Sequence, residues 1–362
     1  MKIKKTNEIR DYLNYLNDIN DLNMSLGDIF LSLINNPEIT SKNEIDNLYH
    51  KFKTPIEDIM LDKVMDYLDI DIEAEDNQEI YDRYIKGHIV LCDDKEYLSN
   101  PYYQNITLKN VKEGRYALLN DIYEPYEIFA LDDIKVDDNY VEHSSLGYFK
   151  DKFSFIALNE KDVTWMSITP NEINTMKEGI VKAHGNVLVF GLGLGYYAYM
   201  VSLKEEVKSI TIIEKDKTII DFFKKYIYPQ FSYKEKITII ESDALKYAVS
   251  DGKFDVLFID LWKTPEDGID FFLTFKKKEL DYKKTAFIYW LNDSFYAFIR
   301  RAFISLLLEQ FDGLKDDAYQ KEANSFDRLI NRLYFKTKNL EINSSRDIES
   351  LLDNNSLLNL IL

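Results

Sequence analysis

The chain holds one cysteine, Cys92, among 362 residues, so an internal disulfide framework is excluded. Histidine is nearly as scarce: His50, His88, His143 and His184 lie far apart, without the spacing of a metal-ligand set. No metal site is expected; Asp260, Asn292 and Asp293 are the remaining candidates for a hard cation. No apolar run approaches the roughly 18–20 residues that a membrane span needs. The start, MKIKKTNEIRDYL, is basic but lacks the apolar stretch of a secretory signal. These absences predict a cytoplasmic protein with no membrane partner. Basic residues are outnumbered, 45 Lys and Arg against 63 Asp and Glu, for a formal charge of −18. Nucleic-acid binding needs Lys and Arg massed on a face, whereas lysines here gather only locally, at Lys2–Lys5 and Lys276–Lys278. Nucleic acid is therefore disfavoured as a partner. Two catalytic signatures are also missing, the Gly-x-Ser-x-Gly elbow and the Gly-Lys-Ser/Thr of a phosphate loop.

What is present is a soluble, globular composition, 46% hydrophobic and 30% charged. The length predicts more than one domain. Residues 1–83 read as a helical N-terminal domain, with Ile9, Tyr12, Leu13 and Leu16 at helical spacing. Ser41–Glu44 and Thr54–Glu57 each set a hydroxyl three residues before a glutamate, which predicts two capping boxes. Residues 84–168 carry short β-rich runs between turn residues and read as a small β-rich domain. Its aromatic residues, among them Tyr102, Tyr123 and Phe149, read as core. FSFIALN and DVTWMSIT, joined by Glu160-Lys161, predict a hairpin. Thr169-Pro170-Asn171-Glu172 then opens a helix, in which Glu172 has a capping explanation but lies close to the glycine turn that follows. Residues 169–310 form the third domain, and 311–362 read as a helical C-terminal tail, with LYFKTKNLEI as an alternative edge strand.

The third domain is organised around Asn186–Met200, NVLVFGLGLGYYAYM. Val187–Phe190 read as a buried strand, Gly191, Gly193 and Gly195 break it, and a helix follows. Downstream, SITIIEKD, KITIIESDA, FDVLFIDLW and TAFIYWLND each precede a helical pattern. Five apolar strands alternating with helices predict an α/β fold, a parallel sheet covered on both faces. Ligands of such sheets sit at the strands' carboxyl ends, where this sequence sets Glu214, Asp243, Asp260 with Trp262, and Asn292 with Asp293. The glycine spacing is G-x-G-x-G with Tyr196 where a dinucleotide fingerprint needs its last glycine. A nucleoside with an amino-acid tail fits that turn better than a pyrophosphate.

Taken in order, VLVFGLGLG, IIEKD, ESDA and FDVLFID resemble the class I S-adenosylmethionine-dependent methyltransferase superfamily over about residues 165–310. The hairpin and helix leading into the first strand are similar to its spermidine-synthase-like branch. The resemblance implies a doubly wound, Rossmann-like, mostly parallel sheet preceded by a helical region and a small β-rich domain. It implies S-adenosylmethionine as cofactor, held by Gly191, Gly193, Gly195, Glu214 at the ribose, Asp243 at the adenine amino group, and Asp260. Asp260 is also the expected catalytic base, with Trp262, Tyr289, Asn292 and Asp293 as substrate-pocket candidates. The polyamine synthases of that branch carry an acid inside the glycine loop, where this chain has Leu194. A methyltransferase with a small-molecule or protein acceptor is therefore expected. Aminopropyl transfer and a non-catalytic cofactor-binding scaffold are the alternatives, and the oligomeric state is open.

Overall fold

The computed structural model describes residues 1–71, 74–161, 163–314 and 322–362. Parts of three expected segments lie outside the described residues: 72–73 of the N-terminal helices, 162 of the hairpin, and 315–321 of the C-terminal stretch. Helix α1 (Asn7–Asn35) is capped by Thr6, whose hydroxyl accepts from Ile9 N at 3.2 Å. Its apolar stripe is buried along its length. Ile9, Leu13 and Leu16 enter the main core, while Phe30 and Leu33 enter a second cluster with α2 (Lys42–Phe52) and α3 (Ile56–Tyr67). The two expected capping boxes do not form. Ser41 makes no side-chain cap bond, Pro55 rather than Thr54 caps α3, and Glu44 pairs with Lys63 instead.

The β-rich segment folds into an antiparallel sheet of β1 (Val111–Glu113), β2 (Tyr116–Tyr123), β3 (Phe153–Glu160) and β4 (Val163–Ser167), in the order β4-β3-β2-β1. Strands β3 and β4 are the expected hairpin. Of its aromatic residues, Tyr102, Tyr126 and Phe149 are buried, Tyr123 is half-buried against the same core, and Phe149 stacks on Phe153 at 4.4 Å.

Helix α4 (Pro170–Lys182) then leads into the parallel sheet. Its elements are β5 (Gly185–Phe190), α5 (Tyr196–Ser202), β6 (Val207–Glu214), α6 (Lys217–Tyr226), β7 (Ile237–Glu241), β8 (Val256–Ile259), α7 (Pro265–Glu279), β9 (Ala286–Tyr289) and α8 (Asn292–Asp312). The order β7-β6-β5-β8-β9 is parallel throughout. Val, Ile, Leu and Phe fill β5 and β8 because both faces are covered. From β5 the chain steps to β6 and β7 on one side, then crosses to β8 and β9 on the other. That reversal opens a crevice at the carboxyl ends of β5 and β8. The helix expected after β7 is absent: Lys246 N and Tyr247 N both bond Asp243 O, and 244–247 make turns.

The C-terminal helices α9 (Ser325–Lys336), α10 (Ser345–Leu351) and α11 (Asn354–Ile361) share the main core with α8. Of LYFKTKNLEI, Leu333–Lys336 belong to α9. Only Glu341–Ile342 is a strand, and it pairs in parallel with Lys2–Ile3. Among the described residues no helix is long and apolar enough to cross a membrane.

Candidate active site

At the end of β5 the three glycines all take positive φ, 99° at Gly191, 51° at Gly193 and 75° at Gly195. They do so for different reasons. A Cβ on Gly191 would stand 2.0 Å from the Asp260 carbonyl oxygen, and one on Gly195 would stand 2.4 Å from Phe223 Cε2. Those two glycines let the backbone close on β8 and α6. At Gly193 the nearest atom to such a Cβ is Met166 Sδ at 3.7 Å, so this position is open. Tyr102, from the one-turn helix Pro101–Asn105, donates its buried hydroxyl to Leu194 O at 2.7 Å and fixes the turn from outside.

A cavity of about 580 Å³ opens over the turn, a size typical of small-molecule sites. The strand ends supply Glu214, Asp243 and Asp260; β4 supplies Trp165 and Met166, and the first turn of α4 supplies Glu172. Glu214 is oriented by two backbone groups. Its Oε2 accepts from Leu192 N at 3.2 Å and its Oε1 from Asp216 N at 2.9 Å. A carboxylate has about four acceptor positions, so two remain for hydroxyls of a ligand.

Glu172 and Asp260 are the electrostatic centre of the cavity. Thr169 Oγ1 accepts from Glu172 N at 3.5 Å, but the glutamate carboxyl does not return to the cap. Its Oε2 is sealed from solvent with no hydrogen-bond partner among the described residues. Burial, reinforced by the Asp260 charge, pushes Glu172 well above the usual carboxylate range. Burial, reinforced by Glu214, pushes Asp260 up to about 7. The two groups therefore retain proton at pH values where surface carboxylates have lost theirs.

Of the residues singled out in the sequence, Gly191, Gly193, Gly195, Glu214, Asp243, Asp260 and Trp262 border the cavity. Asp243 also performs a local task, accepting from Leu245 N at 2.9 Å in the turn after β7. Trp262 is committed to packing. Its indole N–H donates to Trp290 O at 3.1 Å, and its ring meets Phe295 edge-on at 4.8 Å. Tyr289, Asn292 and Asp293 do not border the cavity. Tyr289 donates to Glu279 Oε2 at 2.9 Å while Lys276 Nζ lies 4.1 Å from its ring centroid, which locks the side chain onto α7. Asn292 bonds Asp293 at 3.2 Å, and Asp293 N donates to Asp133 Oδ2 at 3.3 Å. The ends of β5, β6, β7 and β8 border the cavity, whereas Tyr289, Asn292 and Asp293 at the end of β9 do not, because the chain turns there into α8.

Glu172 and Trp165 border the cavity but are not among the site residues expected from the sequence, although Glu172 is noted there for its closeness to the glycine turn. Glu172 looks like an ordinary N3 glutamate, and only the missing return bond reveals it. Trp165 lies in a run whose alternation gives it no distinction from Met166, although both border the cavity.

The fold is a doubly wound, Rossmann-like α/β fold with a cavity at the strand switch point. Within it, residues 172–286 match the family model of the spermine/spermidine synthase domain. The resemblance to the spermidine-synthase-like branch is carried by this match over that stretch. No curated protein matches the sequence. Among solved structures, the spermidine synthase from Thermotoga maritima is 17% identical, with 43% of this chain and 60% of that one covered and a TM-score of 0.29. The tRNA (m1A58) methyltransferase from Aquifex aeolicus is 20% identical, covering 24% of this chain and 34% of that one, with a TM-score of 0.20. The phosphoethanolamine N-methyltransferase 1 from Haemonchus contortus, solved with phosphoethanolamine and S-adenosylhomocysteine, is 14% identical over 28% of this chain and 22% of that one, with a TM-score of 0.22. The chain thus spans a fifth to three fifths of these proteins.

Proposed function

We propose that the chain is an S-adenosylmethionine-dependent methyltransferase acting on a small-molecule or protein acceptor. The supporting observation is the open Gly193 position facing a cavity in which Glu214 keeps two acceptor positions free. Those two positions suit vicinal ribose hydroxyls, and the glycine turn beside them admits the amino-acid tail. When bound, S-adenosylmethionine supplies a methyl group on a sulfonium, which reacts once acceptor and donor are held in line. Asp260 takes the proton of an acceptor that must lose one. Its carboxyl, pushed up to about 7, is poised for that task near neutral pH. Isothermal titration of the full chain with S-adenosylmethionine and S-adenosylhomocysteine tests the reading. Saturable one-to-one binding of both is expected; a folded chain that binds neither overturns it.

A second reading, aminopropyl transfer from decarboxylated S-adenosylmethionine, draws support from the family match over 172–286 and from the carboxyls of Glu172 and Asp260, which suit a cationic amine. Against it stands Leu194, buried and apolar where those enzymes carry an acid. Turnover of putrescine with the decarboxylated donor would establish it. Inertness together with retained binding of the ordinary cofactor would leave methyl transfer.

A further inference from the structure

The chain has three tryptophans, and two of them are held in the core. All three border the cavity, but Trp262 and Trp290 are buried and donate their indole N–H groups to Trp290 O at 3.1 Å and to Thr175 Oγ1 at 2.9 Å. Trp165 is different. It lies on β4, an edge strand, where the pairing with β3 shifts register between Thr164 and Met166. A bulge of this kind takes a side chain out of the regular alternation and re-aims it. The indole borders the cavity, is partly exposed, and has no hydrogen bond to its N–H among the described residues.

The ring is nevertheless firmly backed. It stacks on Tyr116 with centroids 5.5 Å apart and planes at 18°. Tyr116 is buried and fixed at its hydroxyl, which accepts from Arg115 Nη2 at 2.7 Å and donates to Asp216 Oδ2 at 3.0 Å. Asp216 N in turn donates to Glu214. One chain of contacts therefore sets a flat aromatic surface beside the carboxylate that faces the glycine turn. A half-buried indole with an unused N–H is a poor core residue and a good platform for a π-system.

We infer that Trp165 is the ring-recognition residue of the cavity, stacking the purine of the bound nucleoside while Glu214 holds its ribose. The inference rests on the S-adenosylmethionine reading and adds to it a residue from the β-rich sheet. Trp165 selects planar heteroaromatic ligands, and its emission reports their arrival.

The test titrates S-adenosylhomocysteine into the wild type, Trp165→Phe and Trp165→Leu, following both heat and tryptophan fluorescence, with circular dichroism to confirm folding. Base–aromatic stacking predicts that Trp165→Leu loses about tenfold or more in affinity. Trp165→Phe should stay within about threefold of the wild type, because it keeps a stacking face. The emission change on binding should be larger in the wild type than in Trp165→Phe, where only the buried Trp262 and Trp290 remain to report. Equal affinities of folded Trp165→Leu and wild type would overturn the inference and leave the cofactor reading standing. So would a Trp165→Phe as weak as Trp165→Leu. Absence of binding to the wild type would overturn both.

Discussion

A carboxyl group walled in by apolar side chains resists ionising, and a second carboxylate nearby raises the resistance. Asp260 is held at about 7 against an ordinary value of 3.8 by burial and by Glu214. The sign of the stability effect follows. Below pH 4 the folded and unfolded chains both carry the proton. Between pH 4 and about 7 the folded chain binds more proton than the unfolded one, so stability falls as pH rises through that window. Asp260→Asn removes the charge and keeps the shape. It should gain on the order of 2 kcal/mol at pH 8, discounted for the part of the group that water reaches, and nothing at pH 4. Urea unfolding at pH 4, 6 and 8 measures this; an offset independent of pH would refute it. Glu172→Gln should behave alike, since its carboxyl is raised for the same two reasons. Asp260 was legible in the sequence because it ends an all-apolar strand. Glu172 was not, because a helix cap explains the same residue at the same position. Only the fold shows that its carboxyl turns inward.

At the scale of elements, the five apolar strands are readable from the sequence, as are the hairpin of β3 and β4 and four of the five helices expected after those strands, the one after β7 being replaced by turns. The failures have local causes. Capping boxes were expected wherever a hydroxyl preceded a glutamate by three, yet Glu44 found Lys63 and Thr54 ceded its place to Pro55. The boxes that form use aspartate, Thr264 with Asp267 and Ser344 with Asp347. The glycine turn was readable as a motif, but its division of labour was not. Gly191→Ala drives a methyl into the Asp260 carbonyl at a φ of 99° and should cost about 3 kcal/mol or more. Gly193→Ala meets only a sulfur at 3.7 Å and should cost about 1 kcal/mol, the expense of a left-handed backbone with a Cβ. Its added methyl would stand over the turn, so cofactor affinity should fall more than stability. Chemical denaturation and titration of the two variants separate these effects. Equal stability losses would mean that the turn relaxes as a unit.

For the whole molecule, the decisive contacts join segments far apart in sequence, which no local pattern can announce. Helix α1 crosses α8 through a polar layer. Asn23 bridges Tyr140 O at 3.0 Å and Glu142 N at 2.9 Å, and Asn20 reaches Arg301 O at 3.5 Å. Beside them Arg301 Nη1 meets Glu142 at 2.7 Å, with only 9% of the glutamate side chain exposed. Burial pushes Glu142 up from its ordinary value, and the pull of Arg301 and Arg300 only partly opposes it. The pair is thus a tie between the β-rich segment and α8, and the charge of Glu142 is tolerable only while it is answered. Arg301→Met should cost about 2–4 kcal/mol at pH 8, because it leaves a buried carboxylate with one partner fewer. Arg300 cannot substitute, since it is engaged with Leu352 O at 3.1 Å and Asn354 Oδ1 at 2.6 Å. The loss should shrink as pH falls through the raised range in which Glu142 takes up a proton and needs no cation. Adding Glu142→Leu to Arg301→Met should restore most of it, as buried ion pairs are often matched by apolar pairs of similar volume. A double variant no more stable than Arg301→Met alone would place the cost in the packing of the arginine stem rather than in the unanswered charge.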